Sequence, residues 1–384
     1  MSKILKRLSV LEFPESSHAA LQYLTSCFTS SAGGAIPGLG GGAENFAVEV
    51  SQEYVLFKSA PGRASRPIKK LNAIQELQLL EMVCSCLQGA PQSSRFSIFS
   101  VIFGGNIEVS KTTLLTKLVS MALSIGSGAV LDCAALWMQE QGCHSSTVCD
   151  LVQKLVEDYC LLFPEVSQTF QTLPTVSPLF TCNFITAVAT IYPFHELSRA
   201  PPPILLEYIT NWVASDPCLC SESVRLVRIQ ASFSCPFYGL VQWCILGQIL
   251  CLTHHESDSS PPNKVHNDKT KTFSLLSKLH FSILQSFQAY KSMELNQELF
   301  HMPHFLSIAR ELVRIYQLKK DKLQEEEFQM LVDRLGQIIQ VATVTGGLKL
   351  NGGKEILTLC EVLPQNRLLQ IIARPWTNQP MDTS

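Results

Sequence analysis

Charge is what this chain has least of. Asp, Glu, Lys and Arg together make up 16% of its 384 residues, against about a quarter in ordinary globular chains. Neither sign dominates, since 30 basic and 32 acidic side chains leave a formal net charge of −2. No global basic field is therefore available to recruit nucleic acid. No apolar run is long enough to span a bilayer. The most tempting one, Phe237 to Leu252, falls short of the roughly 20 residues a span requires. It also contains Gln242 and Gln248, and it reads as a buried helix. No secretory leader is legible at the N-terminus, which opens on the short amphipathic stretch Ile4-Leu5-Lys6-Arg7-Leu8. From Lys69 onward nothing alternates long enough to build a sheet. No repeat of fixed period recurs, so a solenoid-like array has to be argued from the succession of helices.

What is present is apolar surface. Hydrophobic residues make up 46% of the chain, so a large share of the surface must be hidden, in a core or against partners. Fourteen cysteines are scattered along it, and Cys84, Cys133, Cys160, Cys182, Cys244 and Cys360 sit inside apolar helical patterns. Buried free thiols behave as small hydrophobes, and a reduced intracellular compartment is the expected setting.

The longest informative stretch is Lys69 to Leu87. Ile74, Leu77, Leu80, Cys84 and Leu87 recur at helical spacing, and Leu79, Val83 and Cys86 widen the stripe. Only Gln78, Glu81, Ser85 and Gln88 form a polar edge. A helix apolar over most of its circumference must be covered on two sides. Further candidate helices occupy 94–103, 111–125, 129–141, 146–163, 177–191, 203–214, 237–252, 273–291, 304–318, 325–345, 353–362 and 366–373. Prolines such as Pro91, Pro164, Pro217, Pro303 and Pro364 mark several of the breaks.

The fold expected is all-α, an irregular α-solenoid-like array of packed helices. Its parts are an N-terminal helical segment at 1–30, broken at Pro14, and a flexible Gly/Pro-rich linker at 31–68. That linker carries a short extended segment near Phe46 to Phe57. A first helical array follows at 69–253, then a polar, disordered loop at 254–272. A second array at 273–374 and a disordered tail at 375–384 complete the chain.

The chemistry-bearing motifs are incomplete. Gly105-Asn106-Ile107-Glu108-Val109-Ser110-Lys111-Thr112 is nearly a phosphate-binding loop. Read that way, Phe96 to Phe103 is the preceding strand, and Lys111 and Thr112 serve phosphate and magnesium. Ser110 stands where the motif needs glycine, and no acidic strand end follows. The alternative is that Gly104-Gly105 ends one helix and Ser110 caps the next. Cys84-x-Cys86 and Cys218-x-Cys220 have one intervening residue, where zinc pairs have two to four. His254, His255, His266, His301 and His304 complete no four-ligand set. Gly126-Ser127-Gly128 is too short for a nucleophile elbow and reads as a turn. Glu157-Asp158 reads as a solvated face and Glu325-Glu326-Glu327 as a helix N-terminal turn. The basic clusters Arg63, Arg66, Lys69, Lys70 and Lys319, Lys320, Lys322 lack interleaved aromatics and read as solvated charge. No catalytic, cofactor-binding or metal-ligating residue is assigned, no cofactor is expected, and partner-binding residues are left unassigned.

The segments without chemistry carry a resemblance. KKLNAIQELQLLEMVC at 69–84 resembles the most distinctive segment of the Integrator complex subunit 15 family. The likeness continues in order through LLTKLVSMA at 114–122, VLDCAALWMQ at 130–139 and LVEDYCLLFP at 155–164. It runs on through FITAV at 184–188, PPPILLEYITNWVASDP at 201–217, LVQWC at 240–244 and KLHFSILQ at 278–285. It closes with LVDRLGQIIQVATVTGGL at 331–348 and LCEVLPQNRLLQIIA at 359–373. The chain resembles a divergent, invertebrate-type member. It departs from the pattern at the glycine-rich stretch 33–42, at 218–236, and in lacking the long Pro/His-rich tail of vertebrate members.

That resemblance implies a nuclear, non-enzymatic, all-helical scaffold subunit of Integrator. It implies a part in RNA polymerase II transcription attenuation and small nuclear RNA 3′-end processing. Its partners would be other Integrator subunits, in the module with subunits ten, thirteen and fourteen. No direct nucleic-acid contact, membrane or small-molecule substrate is expected. Two other functions stay open at this point: a nucleotide-binding enzyme using the degenerate loop 105–112, and a helical adaptor outside Integrator.

Overall fold

The computed structural model describes residues 3–29, 42–58, 71–105, 109–162, 168–225, 235–253, 262–294, 297–350, 353–363 and 366–377. In chain order the α-helices are α1 (Lys3–Leu8), α2 (Glu15–Thr29), α3 (Gly42–Tyr54), α4 (Ala73–Gly89), α5 (Gln92–Phe103) and α6 (Val109–Ile125). They continue with α7 (Gly128–Gln141), α8 (Ser146–Val156), α9 (Gln168–Gln171), α10 (Leu173–Val176), α11 (Pro178–Ile191), α12 (Pro203–Ser215) and α13 (Glu222–Arg225). Then come α14 (Phe237–Gln242), α15 (Gln248–Thr253), α16 (Pro262–Ser292), α17 (Met302–Leu318), α18 (Glu325–Val344), α19 (Gly353–Val362) and α20 (Arg367–Thr377). π-helical turns follow α8, at Glu157–Leu162, and join α14 to α15, at Trp243–Gly247. Among the described residues there is no strand, only a single parallel bridge between Phe300 and Leu348. The chain is all-α, as its sequence pattern implies.

Two compact units divide it: residues 1–141 with 168–180, and residues 142–167 with 181–384. In the first, α2 packs on α3, α4 and α5, and α4 packs on α6 and α7. The break between α1 and α2 falls at Pro14, which follows a cis bond from Phe13. α4 starts where its sequence provides a reciprocal cap. Asn72 Oδ1 accepts from Gln75 N–H at 2.9 Å, and Gln75 Oε1 accepts from Asn72 N–H at 3.1 Å. This capping box satisfies two otherwise orphaned donors.

Two expectations need correction here. The segment near Phe46 is helical, not extended. Ala47, Val50, Ser51, Tyr54 and Val55 are its buried positions, and their i, i+3, i+4, i+7 spacing is that of a helix face. In α4 the buried stripe is Leu79, Leu80, Val83, Cys84 and Leu87. Ile74 and Leu77, expected within it, are 73% and 50% exposed. Ile74 and Leu77 lie on the same face as the exposed Glu81, Ser85 and Gln88, opposite the buried stripe. The linker at 31–41 and the segment 59–68 lie outside the described residues.

In the second unit α16 packs on α12, α14, α15 and α18. Lys271 pairs with Glu207 at 2.7 Å, and Lys278 donates to Asn211 at 2.8 Å. The core holds stacked rings: Phe237 on Phe287 at 4.7 Å and Phe300 on Phe305 at 4.7 Å. Trp243 Nε1 donates to the Tyr192 carbonyl at 2.6 Å. α11 and α14 touch backbone to backbone, because a Cβ on Gly239 would collide with the Ala189 methyl. A polar knot ties α15, α16 and α18: the Arg334 guanidinium donates to Gln248 and to Ser277 Oγ. The same guanidinium lies 5.7 Å from the Phe273 ring centroid.

α16 begins at Pro262, so the loop expected to reach 272 does not extend that far; residues 254–261 lie outside the described residues. Its early turns carry almost no apolar residue and leave no periodic trace in the sequence. They extend a helix already anchored by Leu276, Leu279 and Ile283, and adding turns to a formed helix is far easier than nucleating one. α20 runs through Pro375 to Thr377, two residues past the expected start of the tail. Leu369 and Ala373 hold it by burial.

Leu80 is 6% exposed, and Leu80→Ala should cost about 2–5 kcal/mol in chemical denaturation. Gln78→Ala should cost well under about 1 kcal/mol, and Ile74→Ser should stay within about 0.5 kcal/mol. A large loss for Ile74→Ser would place that side chain in the core instead.

Candidate interaction surface

The near-phosphate loop is resolved by its lysine. Phe96 to Phe103 belongs to helix α5, so no strand feeds the loop. Gly104 caps α5, and Gly105 takes φ +72°, the left-handed conformation that ends helices. Lys111 Nζ donates to the Gly104 carbonyl at 2.7 Å, and the residue is only 8% exposed. The ammonium that would hold a phosphate instead neutralises the carbonyl end of the preceding helix. Ser110 lies within α6, which starts at Val109, so it is not the cap the sequence suggests. Residues 106–108 lie outside the described residues.

The thiols divide by burial. Cys84 is buried and Cys86 half-buried, on different faces of α4. Burial pushes the Cys133, Cys143, Cys160 and Cys235 thiols up to about 12. They stay protonated at neutral pH, which leaves them poor nucleophiles and ligands. Cys182, also raised by burial, reaches Ser223 Oγ at 3.5 Å. Among the described residues no group of three or more His, Cys, Asp or Glu side chains is placed to hold a metal. His301 pairs with Glu298 at 3.1 Å, and His304 packs its ring on Tyr238 at 4.8 Å. His254 and His255, the His266 side chain, and the cluster Arg63, Arg66, Lys69 and Lys70 lie outside what is described. Ser127 turns the chain between α6 and α7, where its Oγ accepts from Gln88 at 2.9 Å. Glu327 caps the first turn of α18 by accepting from Gln324 N–H at 3.0 Å. Lys319, Lys320 and Lys322 are exposed.

Two open grooves stand out among the described residues. One, of ≈ 560 Å³, lies in the second unit between α17 and the α14–α15 segment. Its charges serve one another: Arg314 forks onto Glu311 at 2.8 and 2.5 Å, which holds the Glu311 carboxyl below its usual range. The larger, of ≈ 790 Å³, lies in the first unit between α2 and α4. Leu21, Met82 and Cys86 contribute its apolar part, and a Thr25 Oγ1···Cys86 Sγ contact of 3.2 Å joins the two walls. Gln78, Glu81 and Ser85 form one rim. The sequence pattern identified those three as a polar edge, but not the α2 wall opposite. α2 is short of charge and mixed in polarity, and nothing in its own spacing marks a groove.

These features define a class: an all-helical protein in which, among the described residues, Lys111 and the buried thiols serve the fold and the surface carries two open grooves. A family model for Integrator complex subunit 15 matches residues 2–365. Integrator complex subunit 15 of Danio rerio is 33% identical over 361 residues, covering 88% of this chain and 74% of the relative. The Homo sapiens protein of that name is 33% identical over 353 residues, covering 85% and 77%. The one from Drosophila melanogaster is 26% identical over 350 residues, covering 86% and 87%. The chain belongs to the Integrator complex subunit 15 family.

Two measurements check the reading of these groups. Calorimetry should detect no micromolar binding of ATP or GTP, and Lys111→Ala should cost about 1–3 kcal/mol of stability by stripping a buried carbonyl of its donor. Binding that vanishes in the variant would restore the nucleotide site. In the native chain at pH 8, iodoacetamide should leave the buried Cys133, Cys143 and Cys160 unlabelled while denaturant releases all three. Rapid native labelling of any of them would reveal an activated thiol.

Proposed function

We propose that this chain is a non-catalytic scaffold subunit of the nuclear Integrator complex. It docks other Integrator subunits, the module of subunits ten, thirteen and fourteen among them. Through them it supports attenuation and termination of RNA polymerase II transcription and small nuclear RNA 3′-end processing. The observation that carries this reading is family membership across residues 2–365. The engagement of Lys111 by Gly104 supports it against the nucleotide-enzyme alternative. On this reading the chain uses no cofactor and no small-molecule substrate, and it contacts nucleic acid only through its partners. No helix among the described residues is long and apolar enough to cross a membrane.

The tagged chain, purified from nuclear extract and identified by mass spectrometry, should recover Integrator subunits ten, thirteen and fourteen. Co-expression with them should turn a self-associating chain into a monodisperse complex. A chain that is monodisperse alone and recovers no Integrator subunit would overturn the assignment.

A further inference from the structure

We infer that the groove between α2 and α4 seats a basic amphipathic helix, about three turns long, from another subunit of the assembly. This rests on the reading of the chain as a binding subunit and adds where one partner sits and what its chemistry is.

The shape selects a helix. The later turns of α2 and α4 meet: Thr25 touches Cys86, and Ser94, in the first turn of α5, donates to the Phe28 carbonyl at 3.1 Å near the end of α2. The α2 wall from His18 to Thr29 is roughly 16 Å long at 1.5 Å per residue, or about three helical turns. Both walls are helices whose backbone groups bond within themselves. An extended peptide laid on Leu21, Met82 and Cys86 would find no backbone partners for its amides, whereas a helix brings its own. A third helix in the furrow between two others is also ordinary ridge-in-groove packing.

The charge selects a basic one. Glu81 on the rim has no hydrogen-bond or ion-pair partner among the described residues. Among the described residues no Lys or Arg lines the groove, and His18 is its one basic side chain. The last carbonyls of α4 are already engaged by Arg95, which donates to Ala90 at 2.9 Å and Gln88 at 3.3 Å, so the unpartnered charge that faces the furrow is Glu81. A second copy of this chain offers a poor occupant. Its basic amphipathic helices α1 and α20 already bury Leu5 and Leu8, and Leu369 and Ala373, each within its own unit.

The test uses the full chain and two synthetic helical peptides of equal hydrophobicity, one with a Leu face and a Lys face, the other with Leu and Glu. Fluorescence anisotropy should give roughly tenfold tighter binding of the Lys peptide, falling with salt. Glu81→Lys should abolish or reverse that preference. Gln22→Trp and Met82→Trp, which fill the furrow from opposite walls, should remove binding while circular dichroism and thermal unfolding stay close to wild type. Gln22 is exposed, so at least that variant should fold. Equal affinity for the two peptides, or binding indifferent to Glu81→Lys and to Gln22→Trp, would overturn the inference. A photo-crosslinker at Ser85 in cells then identifies the occupant. A Lys/Arg-flanked amphipathic segment of another Integrator subunit supports the inference. A crosslink to this chain's own residues 30–41, to a second copy or to RNA overturns it. If the complex is recovered and Ser85 crosslinks nothing, the groove is not used but the subunit assignment stands. If no Integrator subunit is recovered at all, the assignment itself fails.

Discussion

The second unit contains one stretch of helix that has no outside, and whatever packs there must accommodate it. Residues Thr181 through Ala189 of α11 are buried without a break, so the segment must be covered on every side. That demand fixes its neighbours. Its polar side chains need partners inside the protein, and Thr186 meets the requirement by donating to the Cys182 carbonyl at 2.9 Å. Tyr192, just past its end, supplies the acceptor for Trp243. The scarcity of charge follows from the same geometry. A position enclosed by other helices has no water to stabilise an ion, and an unpaired ion there would be strongly disfavoured. Residues 181–189 accordingly carry no charged side chain.

A half-met motif can be resolved by asking where its one strong group is spent. Lysine is long enough to reach a phosphate, and also long enough to fold back over the helix it follows. With α5 upstream in place of a strand, the nearest concentration of negative potential is the carbonyl end of that helix, and Lys111 goes there. The cysteines follow a parallel logic. Their number suggests metal or redox chemistry, but burial keeps Cys133, Cys143, Cys160 and Cys235 in the thiol form, which is the apolar form.

Helix existence was largely legible, because breaks at prolines and glycines are local events. α12, α18 and α19 fall within a residue or so of the spans their patterns imply. The rotation of a helix about its axis was less legible. In α4 the residues from Ile74 to Leu87 are apolar in so many directions that the pattern leaves the buried face undetermined, and the face that packs inward turns Ile74 and Leu77 outward with Glu81 and Ser85. The sequence of α3 reads as extended because Val48 and Val50 alternate locally, while the spacing that matters links Ala47, Val50 and Tyr54. The groove was half legible: Gln78, Glu81 and Ser85 mark one wall. The other wall lies on α2, far away in sequence, and only tertiary packing brings the two together.

The contact between α11 and α14 has a consequence beyond packing. At Gly239 the two backbones are separated by little more than the Ala189 methyl, so the two positions share one fixed volume. Through sequence drift they should behave as a single variable: a methyl gained at one is tolerated when the other gives one up. A paired exchange that would look neutral in the fold would look, to anyone reading either position alone, like the loss of an indispensable residue.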